Sequence, residues 1–422
     1  MSKFLGYRCS LCGSEYAPNE VAYTCPKDGG NLDVTLDIES IKTKYQPEDI
    51  LSRNDPSLWR YLPLLPVEEP EGDSTPLHAA GGTPVFKLTA LSRKLGLQNL
   101  WLKDESRNPT ASFKDRASAV VVTRAHEIGA EIVVTASTGN AGAALAGMSA
   151  AAGQKAIIFA PKSAPQAKVA QLLIFGAKVI LVDGTYDDAF DLTIKCADEF
   201  GWYCRNTGYN PFTAEGKKTA AFEIWEWWQD AHAKWHDEFG EGSDHPPLTI
   251  FVSVGDGNII SGIHKGFKDL VQLGWMPRVP RIIGVQAEGS AAISNAFHAN
   301  TESIQPVSAK TIADSISVDL PRDGVRAVRA VKETGGTYVN VSDEEILKAI
   351  AELGKVGVFA EPAGATAFAG MVKASAAGVV GSEDPILVLN TGSGLKDVRA
   401  AMSAVEAAPV IEPTLDAVKK LL

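Results

Sequence analysis

The sequence has no apolar run close to the ~20 residues that a membrane-spanning helix needs, and it has no cluster of lysines and arginines. The first absence argues against a membrane protein. The second, together with a net charge of -11, argues against nucleic-acid binding. The opening residues MSKFLGYRCS also lack the apolar segment of a secretory signal. We therefore expect a cytoplasmic, globular protein that binds neither nucleic acid nor membranes.

Cysteine is scarce, and the odd total of five in 422 residues argues against a disulfide framework. Cys9 and Cys12 form a Cys-x-x-Cys pair, and Cys25 follows after a spacer of twelve residues. A zinc ribbon would place its fourth ligand at position 28, where this chain has Asp28. Two interpretations stay open: a zinc site completed by Asp28 or water, and a ribbon-shaped knuckle without metal.

Short apolar runs typical of buried strands alternate with amphipathic stretches of helical periodicity. The strand-like runs are EIVVTAS, KAIIFAP, AKVILVDG, LTIFVSV, RIIGVQA and PILVLNTG, and the helical stretches span 141–152, 187–200, 215–239, 258–273 and 343–355. The alternation predicts an α/β fold with mostly parallel sheets and helices on both faces. Ligands of such sheets bind beyond the carboxyl ends of the strands.

Three turns rich in glycine and hydroxyl groups follow predicted strands. ASTGNAG, at 136–142, offers hydroxyls and amides to a carboxylate from Ser137, Thr138 and Gly139. VGDGN, at 254–258, lets successive backbone amides form a nest for a phosphate. TGSGLKD, at 391–397, places the neutral hydroxyl of Thr391 where it could meet a ring nitrogen. Each turn taken alone is also ordinary capping chemistry.

The stretch NPTASFKDR, residues 108–116, places Lys114 in the first turn of a predicted helix. Taken alone, such a lysine is usually solvent-facing. A lysine, a carboxylate cradle, a phosphate nest and a neutral hydroxyl are together what a pyridoxal phosphate enzyme needs. The conjunction is more specific than any of its parts.

Six motifs, in chain order over about residues 80 to 400, resemble those of threonine synthase, a fold type II pyridoxal phosphate enzyme of the tryptophan synthase beta-like group: NPTASFKDR, ASTGNAG, EGKKT, VGDGN, EPAGA and TGSGLKD. The resemblance implies a two-domain enzyme that forms a homodimer. The proline-rich, polar composition of residues 41–80 predicts an extended linker laid over the body, not a separate domain. The other expected parts are a ribbon-like module at 1–40, a large cofactor-binding domain at 81–125 and 214–405, a small mobile substrate domain at 126–213, and a tail at 406–422.

The resemblance also implies roles for individual residues. Lys114 would hold the cofactor as a Schiff base, Phe113 would lie against the ring, and Asn140 would hydrogen-bond the ring hydroxyl. Thr391 would meet the pyridine nitrogen, and the cofactor phosphate would be cradled by Gly255, Asp256, Gly257 and Asn258. The substrate carboxylate would bind at Ser137, Thr138 and Gly139, and its phosphate at Asn206 and Thr207.

The implied reaction converts O-phospho-L-homoserine and water to L-threonine and phosphate. Thr213, however, stands where the family has an arginine that grips phosphate, and the strongest ordinary phosphate contact is thereby lost. Ala111 also stands in place of a common glycine. The missing charge could come from Lys162, Lys217 or Lys218.

Because of this departure, other functions stay open. The enzyme alternatives are cysteate synthesis from phosphoserine and sulfite, and dehydration of serine or threonine. The non-enzyme alternative is an amino-acid sensor, and the intact Lys114 argues against it.

Overall fold

The computed structural model describes residues 3–71, 75–239 and 246–421. Within these ranges the strands form three sheets. The strands are β1 (Phe4–Cys9), β2 (Glu15–Tyr16), β3 (Leu32–Leu36), β4 (Val85–Lys87), β5 (Asn99–Asp104), β6 (Ile132–Ala136), β7 (Lys155–Pro161), β8 (Lys178–Val182), β9 (Tyr203–Cys204), β10 (Thr249–Ser253), β11 (Arg281–Ala287), β12 (Tyr338–Val341) and β13 (Pro385–Asn390).

The helices connect and cover these strands. They are α1 (Ile38–Lys44), α2 (Pro47–Leu51), α3 (Thr89–Leu95), α4 (Lys114–Glu127), α5 (Asn140–Ala151), α6 (Gln166–Ile174), α7 (Tyr186–Phe200), α8 (Phe212–Phe239), α9 (Asn258–Leu273), α10 (Ala292–His298), α11 (Gly324–Glu333), α12 (Asp343–Gly354), α13 (Pro362–Ala376), α14 (Val398–Ser403) and α15 (Leu415–Lys419). No described helix is long and apolar enough to cross a bilayer.

The two larger sheets are mostly parallel, as the alternation of strands and helices predicts. The six-stranded sheet has the order β12-β11-β10-β13-β5-β4, and its antiparallel pair is β4 with β5 at one edge. The four-stranded sheet has the order β8-β7-β6-β9 and is parallel throughout. The remaining sheet, β2-β1-β3, is antiparallel and contains the N-terminal residues.

Helices cover both faces of the six-stranded sheet. Successive side chains of a strand point to opposite faces, and buried residues along β10 and β13 accordingly divide between two apolar clusters. Ile250, Val252 and Leu387 pack in the cluster that includes residues of α4, α8 and α9. Phe251, Ile386 and Val388 pack in the one that includes residues of α12 and α13. The predicted α/β fold with helices on both faces is confirmed.

The segment 41–80 differs from the extended linker that its prolines predict. Its described residues contain most of α1, all of α2 and two short 3₁₀-helices, at Leu58–Leu64 and Pro76–Ala79. Leu58, Trp59 and Tyr61 are buried, so this segment is part of the packed body and its helical turns are set by that packing. The division of the chain into domains stays a prediction.

Candidate active site

Backbone hydrogen bonds attach the loop before Lys114 to the turn after β13. The amide of Phe113 donates to the Thr391 carbonyl at 2.9 Å, and the amide of Ser393 donates to the Ala111 carbonyl at 3.1 Å. Ala111 has a φ of 62°, a left-handed conformation that favours glycine. The glycine found here in related sequences therefore matches a backbone requirement, which Ala111 meets at some cost in strain.

The two residues after Lys114 fix the start of α4. Asp115 accepts a hydrogen bond from the Thr110 amide at 2.6 Å, and burial raises its pKa to about 6. Arg116 is fully buried and donates to Glu105 at 2.7 Å and to Glu223 at 2.6 Å. These contacts hold Asp115 and Arg116 in the protein interior. Lys114, which comes directly before them, lies in the lining of a cavity.

That cavity brings together the predicted cofactor residues. Lys114 lies at the start of α4, Asn140 at the start of α5, and residues 255–258 at the start of α9. The lining includes Phe113, Lys114, Asn140, Gly255, Asp256, Gly257, Asn258 and Thr391. Turns that follow β6, β10 and β13 thus meet at one place, as expected for the carboxyl ends of parallel strands.

The amine of Lys114 is easier to deprotonate than an ordinary lysine. Burial and the charge of Arg205 together lower its pKa to about 8, against the opposing charges of Asp256 and Glu361. A larger fraction of neutral, nucleophilic amine is therefore present near neutral pH.

The turn before α9 exposes amides at a helix N-terminus. Gly257 is the N-cap with a φ of 89°, and an added Cβ would lie 2.6 Å from the Asp323 carbonyl oxygen, so only glycine fits this turn. The amides of the first turn have no partner within the helix, which makes this end a site for an anion. The carboxylate of Asp256 accepts from the Arg322 amide at 3.2 Å.

A second cavity adjoins the first and shares Asn140, Ser315, Glu361 and Ala363 with it. Thr138 and Gly139 line this second cavity, as do Lys168 and Lys396. Ser137 lies outside both linings and accepts a hydrogen bond from the Gly139 amide at 3.2 Å through its hydroxyl.

Asn206 and Thr207 are also absent from the two linings, as is Arg205. The side-chain Oδ1 of Asn206 accepts from the Thr135 hydroxyl and the Ala136 amide, both at 2.9 Å. The Thr207 hydroxyl accepts from Arg205 at 2.7 Å. The structure therefore connects the predicted phosphate-binding pair to Arg205.

The three lysines considered as sources of positive charge have different surroundings. Lys162 is exposed and lies 3.7 Å from Asp183. Lys218 is buried between Glu215 and Asp269, at 2.6 and 2.8 Å, so its charge is already balanced. Lys217 is buried and donates to the Asn258 side chain beside the phosphate nest.

Two charged residues were not predicted from the sequence: Glu361, which lines the site, and Arg205, whose charge acts on Lys114 from outside the two linings. Glu361 lines both cavities and accepts from Asn140 at 2.7 Å, and burial raises its pKa to about 7. The motif EPAGA, which carries the family resemblance, was the available signal for Glu361. Arg205 precedes Asn206 directly, but nothing in its local sequence distinguishes it from an exposed arginine.

The cysteines of the N-terminal sheet form a compact cluster. The ligand atoms of Cys9, Cys12, Cys25 and Asp28 all lie within 4.8 Å of one another. The Sγ atoms of Cys12 and Cys25 are 3.7 Å apart, and Cys9 Sγ is 3.3 Å from Asp28 Oδ1. Tetrahedral zinc with Zn–S bonds of about 2.3 Å requires sulfur atoms roughly 3.8 Å apart, so the spacing suits such an ion.

Comparisons with known proteins agree with this geometry. Residues 77–392 match the family model described as pyridoxal-phosphate dependent enzyme. The chain is 39% identical over 418 residues to a threonine synthase of Methanocaldococcus jannaschii and 37% identical over 420 residues to one of Methanosarcina acetivorans, with 98% of each chain covered.

Solved structures show the same fold at lower identity. The processed form of threonine deaminase isoform 2 from Solanum lycopersicum is similar with a TM-score of 0.64 and 22% identity, covering 81% of this chain and 92% of that one. Diaminopropionate ammonia lyase from Escherichia coli is similar with a TM-score of 0.62 and 20% identity, and the match covers 85% of this chain and 93% of that one.

Proposed function

We propose that this chain, which belongs to the pyridoxal-phosphate dependent enzymes and within them to the threonine synthases, converts O-phospho-L-homoserine and water to L-threonine and phosphate. The observation that carries the proposal is one cavity lined by Lys114, the 255–258 turn and Thr391, in a chain similar to threonine synthases over 98% of its length.

The lining of the first cavity fits the family's cofactor. Amides at the start of α9 suit the phosphate group, Lys114 supplies the amine, and Phe113 supplies an apolar surface for the ring. Asn140 would hydrogen-bond the ring hydroxyl, and Thr391 the pyridine nitrogen. When bound, pyridoxal phosphate supplies an aldehyde that combines with amines and a ring that delocalises the negative charge left by a departing α-proton.

Lys114 is then the base of the reaction. Its Nζ would take the proton from the substrate Cα and later one from Cβ, and the lowered pKa keeps a useful fraction of the amine neutral. Thr391 is a neutral hydroxyl and would leave the pyridine nitrogen of a bound cofactor unprotonated, which would suit an elimination in which a leaving group carries charge away.

The substrate would occupy both cavities. Ser137, Thr138 and Gly139, at the start of α5, would hold the α-carboxylate, because a helix N-terminus favours an anion. Asn206 and Thr207 would orient the departing phosphate. Phosphate would leave from Cγ as the Cβ proton is removed, and a proton would return to Cγ to form the methyl group. The hydroxyl of water would then add at Cβ, and a proton would return to Cα.

A panel assay tests this function. The purified holoenzyme is incubated with O-phospho-L-homoserine, with O-phospho-L-serine and sulfite, and with unphosphorylated serine or threonine, and released phosphate and L-threonine are measured. Threonine formed from phosphohomoserine supports the proposal, whereas turnover of another substrate alone would assign one of the alternatives. Lys114→Ala should abolish turnover and the visible colour of the cofactor, and Lys162→Ala, at an exposed lysine, should leave both unchanged.

We also propose a structural zinc ion bound by Cys9, Cys12, Cys25 and Asp28. The spacing of the four ligand atoms supports it, since structural zinc sites are tetrahedral and rich in thiolates. Metal analysis after purification without chelators should give about one zinc per chain, and less than about a tenth would favour the metal-free knuckle.

Finally, we propose that the enzyme is a homodimer. Light scattering coupled to size exclusion should then report twice the 44.8 kDa mass of the chain, and a mass of one chain would contradict it. Its cytoplasmic location stays a prediction.

A further inference from the structure

Arg205 is a buried arginine without an acidic partner in the part of the chain that the structure describes. Its Nε donates to the Ser118 hydroxyl at 3.2 Å and one terminal nitrogen donates to Thr207 at 2.7 Å. Its other terminal nitrogen is buried and has no hydrogen-bond partner. An unpaired buried charge of this kind costs several kcal/mol, by order of magnitude, so the position calls for an anion that binds in function.

Two other buried arginines are paired with carboxylates, as buried charges usually are. Arg116 contacts Glu105 and Glu223, both within 2.7 Å, and Arg326 contacts Asp33 and Asp323, both at 2.6 Å. Each therefore has its charge balanced within the protein. Arg205 differs from them in having hydroxyl contacts only.

The residue next to Arg205 has a free donor as well. The side-chain Nδ2 atom of Asn206 is buried without a partner, while the side-chain Oδ1 atom already accepts hydrogen bonds from Thr135 and Ala136. Thr207 accepts from Arg205, so its own hydroxyl proton is available to donate. Residues 205–207 thus offer donors, and the matching ligand is rich in acceptor oxygens.

Arg205 also lies close to the catalytic lysine, since its charge lowers the pKa of Lys114. Burial lowers the pKa of Lys217 in the same region well below its usual value, so Lys217 contributes less positive charge than an ordinary lysine. Asp256 and Glu361 also act on Lys114, and burial raises the pKa of both carboxyls. An anion bound at Arg205 would therefore lie in the region of the reactive amine.

Position 213 cannot provide the missing contact. Thr213 is fully buried, and its hydroxyl donates to the Asn210 carbonyl at 2.7 Å and lies 3.1 Å from the Asn258 side chain. It is neutral and already engaged.

We propose that Arg205, and not Thr213, binds the phosphate group of the substrate. The guanidinium offers a bidentate contact to phosphate, with Asn206 and Thr207 as neighbouring donors. This inference rests on the proposed function, and it makes Arg205 the residue that selects a phosphorylated substrate.

Arg205→Gln in the holoenzyme tests the inference. The substitution should raise KM for O-phospho-L-homoserine and weaken calorimetric binding of inorganic phosphate by about 30-fold or more, because a buried charged contact is lost, while kcat changes less. Binding of L-threonine, which has no phosphate, should stay within about twofold of wild type. Arg93→Gln removes the same charge from the exposed face of α3 and should change none of these values.

Some results would contradict the proposed role of Arg205 in phosphate binding. Unchanged phosphate binding in Arg205→Gln, or equal weakening of phosphate and L-threonine, would overturn the proposal and leave Arg205 a structural role. If Arg205→Gln does not fold, Arg205→Lys retains the charge without the fork and should show a smaller but selective loss of phosphate binding. A wild-type enzyme that binds phosphate through Arg205 but makes no threonine would refute the proposed function and not this subsite.

Discussion

At the scale of single residues, the burial of Lys114 sets the pH at which its amine can react. The pKa of about 8 results from burial and from Arg205, against the opposing charges of Asp256 and Glu361. The neutral fraction of the amine rises as pH passes through this pKa. Binding of pyridoxal phosphate by the cofactor-free protein should therefore accelerate up to about pH 8 and then level off.

This prediction is measured by mixing cofactor-free protein with pyridoxal phosphate from about pH 6 to about pH 10 and following visible absorbance. Arg205→Gln should move the midpoint to higher pH, since a positive charge near the amine is removed. A midpoint near the ordinary lysine value of 10.5 would contradict the lowered pKa.

Glu361 predicts a pH dependence of stability. Burial raises its pKa from 4.5 to about 7, so the folded protein prefers the protonated acid. The contribution of Glu361 to the free energy of unfolding is therefore fully present below its pKa in the unfolded protein, and it is lost as pH rises from about 4.5 to about 7. Glu361→Gln, which stays neutral, should stabilise the cofactor-free protein at pH 8 by up to roughly 3 kcal/mol and have little effect at pH 4.

Thermal unfolding of the cofactor-free wild type and of Glu361→Gln at the two pH values measures this difference. Glu344→Gln, at an acidic position in the first turn of α12, serves as a surface control. An equal effect of Glu361→Gln at both values would show that its carboxyl does not titrate in this range.

Site residues that belong to a local sequence motif could be identified from the sequence. Residues whose role depends on contacts with distant parts of the chain could not. The predicted cofactor residues, from Phe113 to Thr391, line one cavity, because each belongs to a turn with its own glycine or capping signal. Arg205 has no such signal. What distinguishes it is that no carboxylate of the described residues pairs with its buried guanidinium, and the sequence around it cannot show this.

At the scale of secondary structure, the start of α4 is held by a buried ionic network. Arg116 bridges Glu105 and Glu223, and Lys103 lies 2.7 Å from Glu223. Arg116→Met should therefore destabilise the protein by about 3 to 5 kcal/mol, since it leaves buried carboxylates unpaired. It should also reduce cofactor binding, because Lys114 loses its fixed position.

The matched control lies on the same helix. Arg124 pairs with Glu127 at 3.0 Å near the surface, and Arg124→Met should cost about 1 kcal/mol or less. Chemical denaturation of both variants measures the contrast. Similar losses for the two would argue that the buried network is not what fixes α4.

The long periodic elements were predicted well, and a strand with buried charged residues was missed. All six predicted strand runs and all five helical stretches correspond to elements of the structure, with α9 at 258–273 as predicted. The strand β5 was not predicted, because its Lys103 and Asp104 interrupt the apolar pattern. Both are buried, and Lys103 is balanced by Glu223, which comes from α8, far along the chain.

At the scale of the whole molecule, the N-terminal sheet packs against the loop that contains Arg205. The Tyr23 hydroxyl accepts from the Cys204 amide at 2.9 Å, and the Tyr23 ring stacks on Tyr209 with centroids 4.6 Å apart. Asn31 donates to the Gly208 carbonyl. The segment from Val21 to Asn31, which contains Cys25 and Asp28, therefore supports residues 204–209 from outside the active site.

These contacts predict that metal in the ribbon affects substrate binding more than the chemical step. Cys12→Ser removes an exposed ligand of the proposed zinc site and should loosen the segment that carries Tyr23 and Asn31. KM for O-phospho-L-homoserine should rise by about fivefold or more, a usual size for coupling between sites, while kcat and the visible absorbance of the cofactor stay close to wild type. Cys196→Ser, at a thiol outside the ribbon, should change neither constant. Chelation followed by zinc should restore KM in the wild type and not in Cys12→Ser, and an unchanged KM after complete loss of zinc would show that the ribbon does not support the phosphate-binding loop.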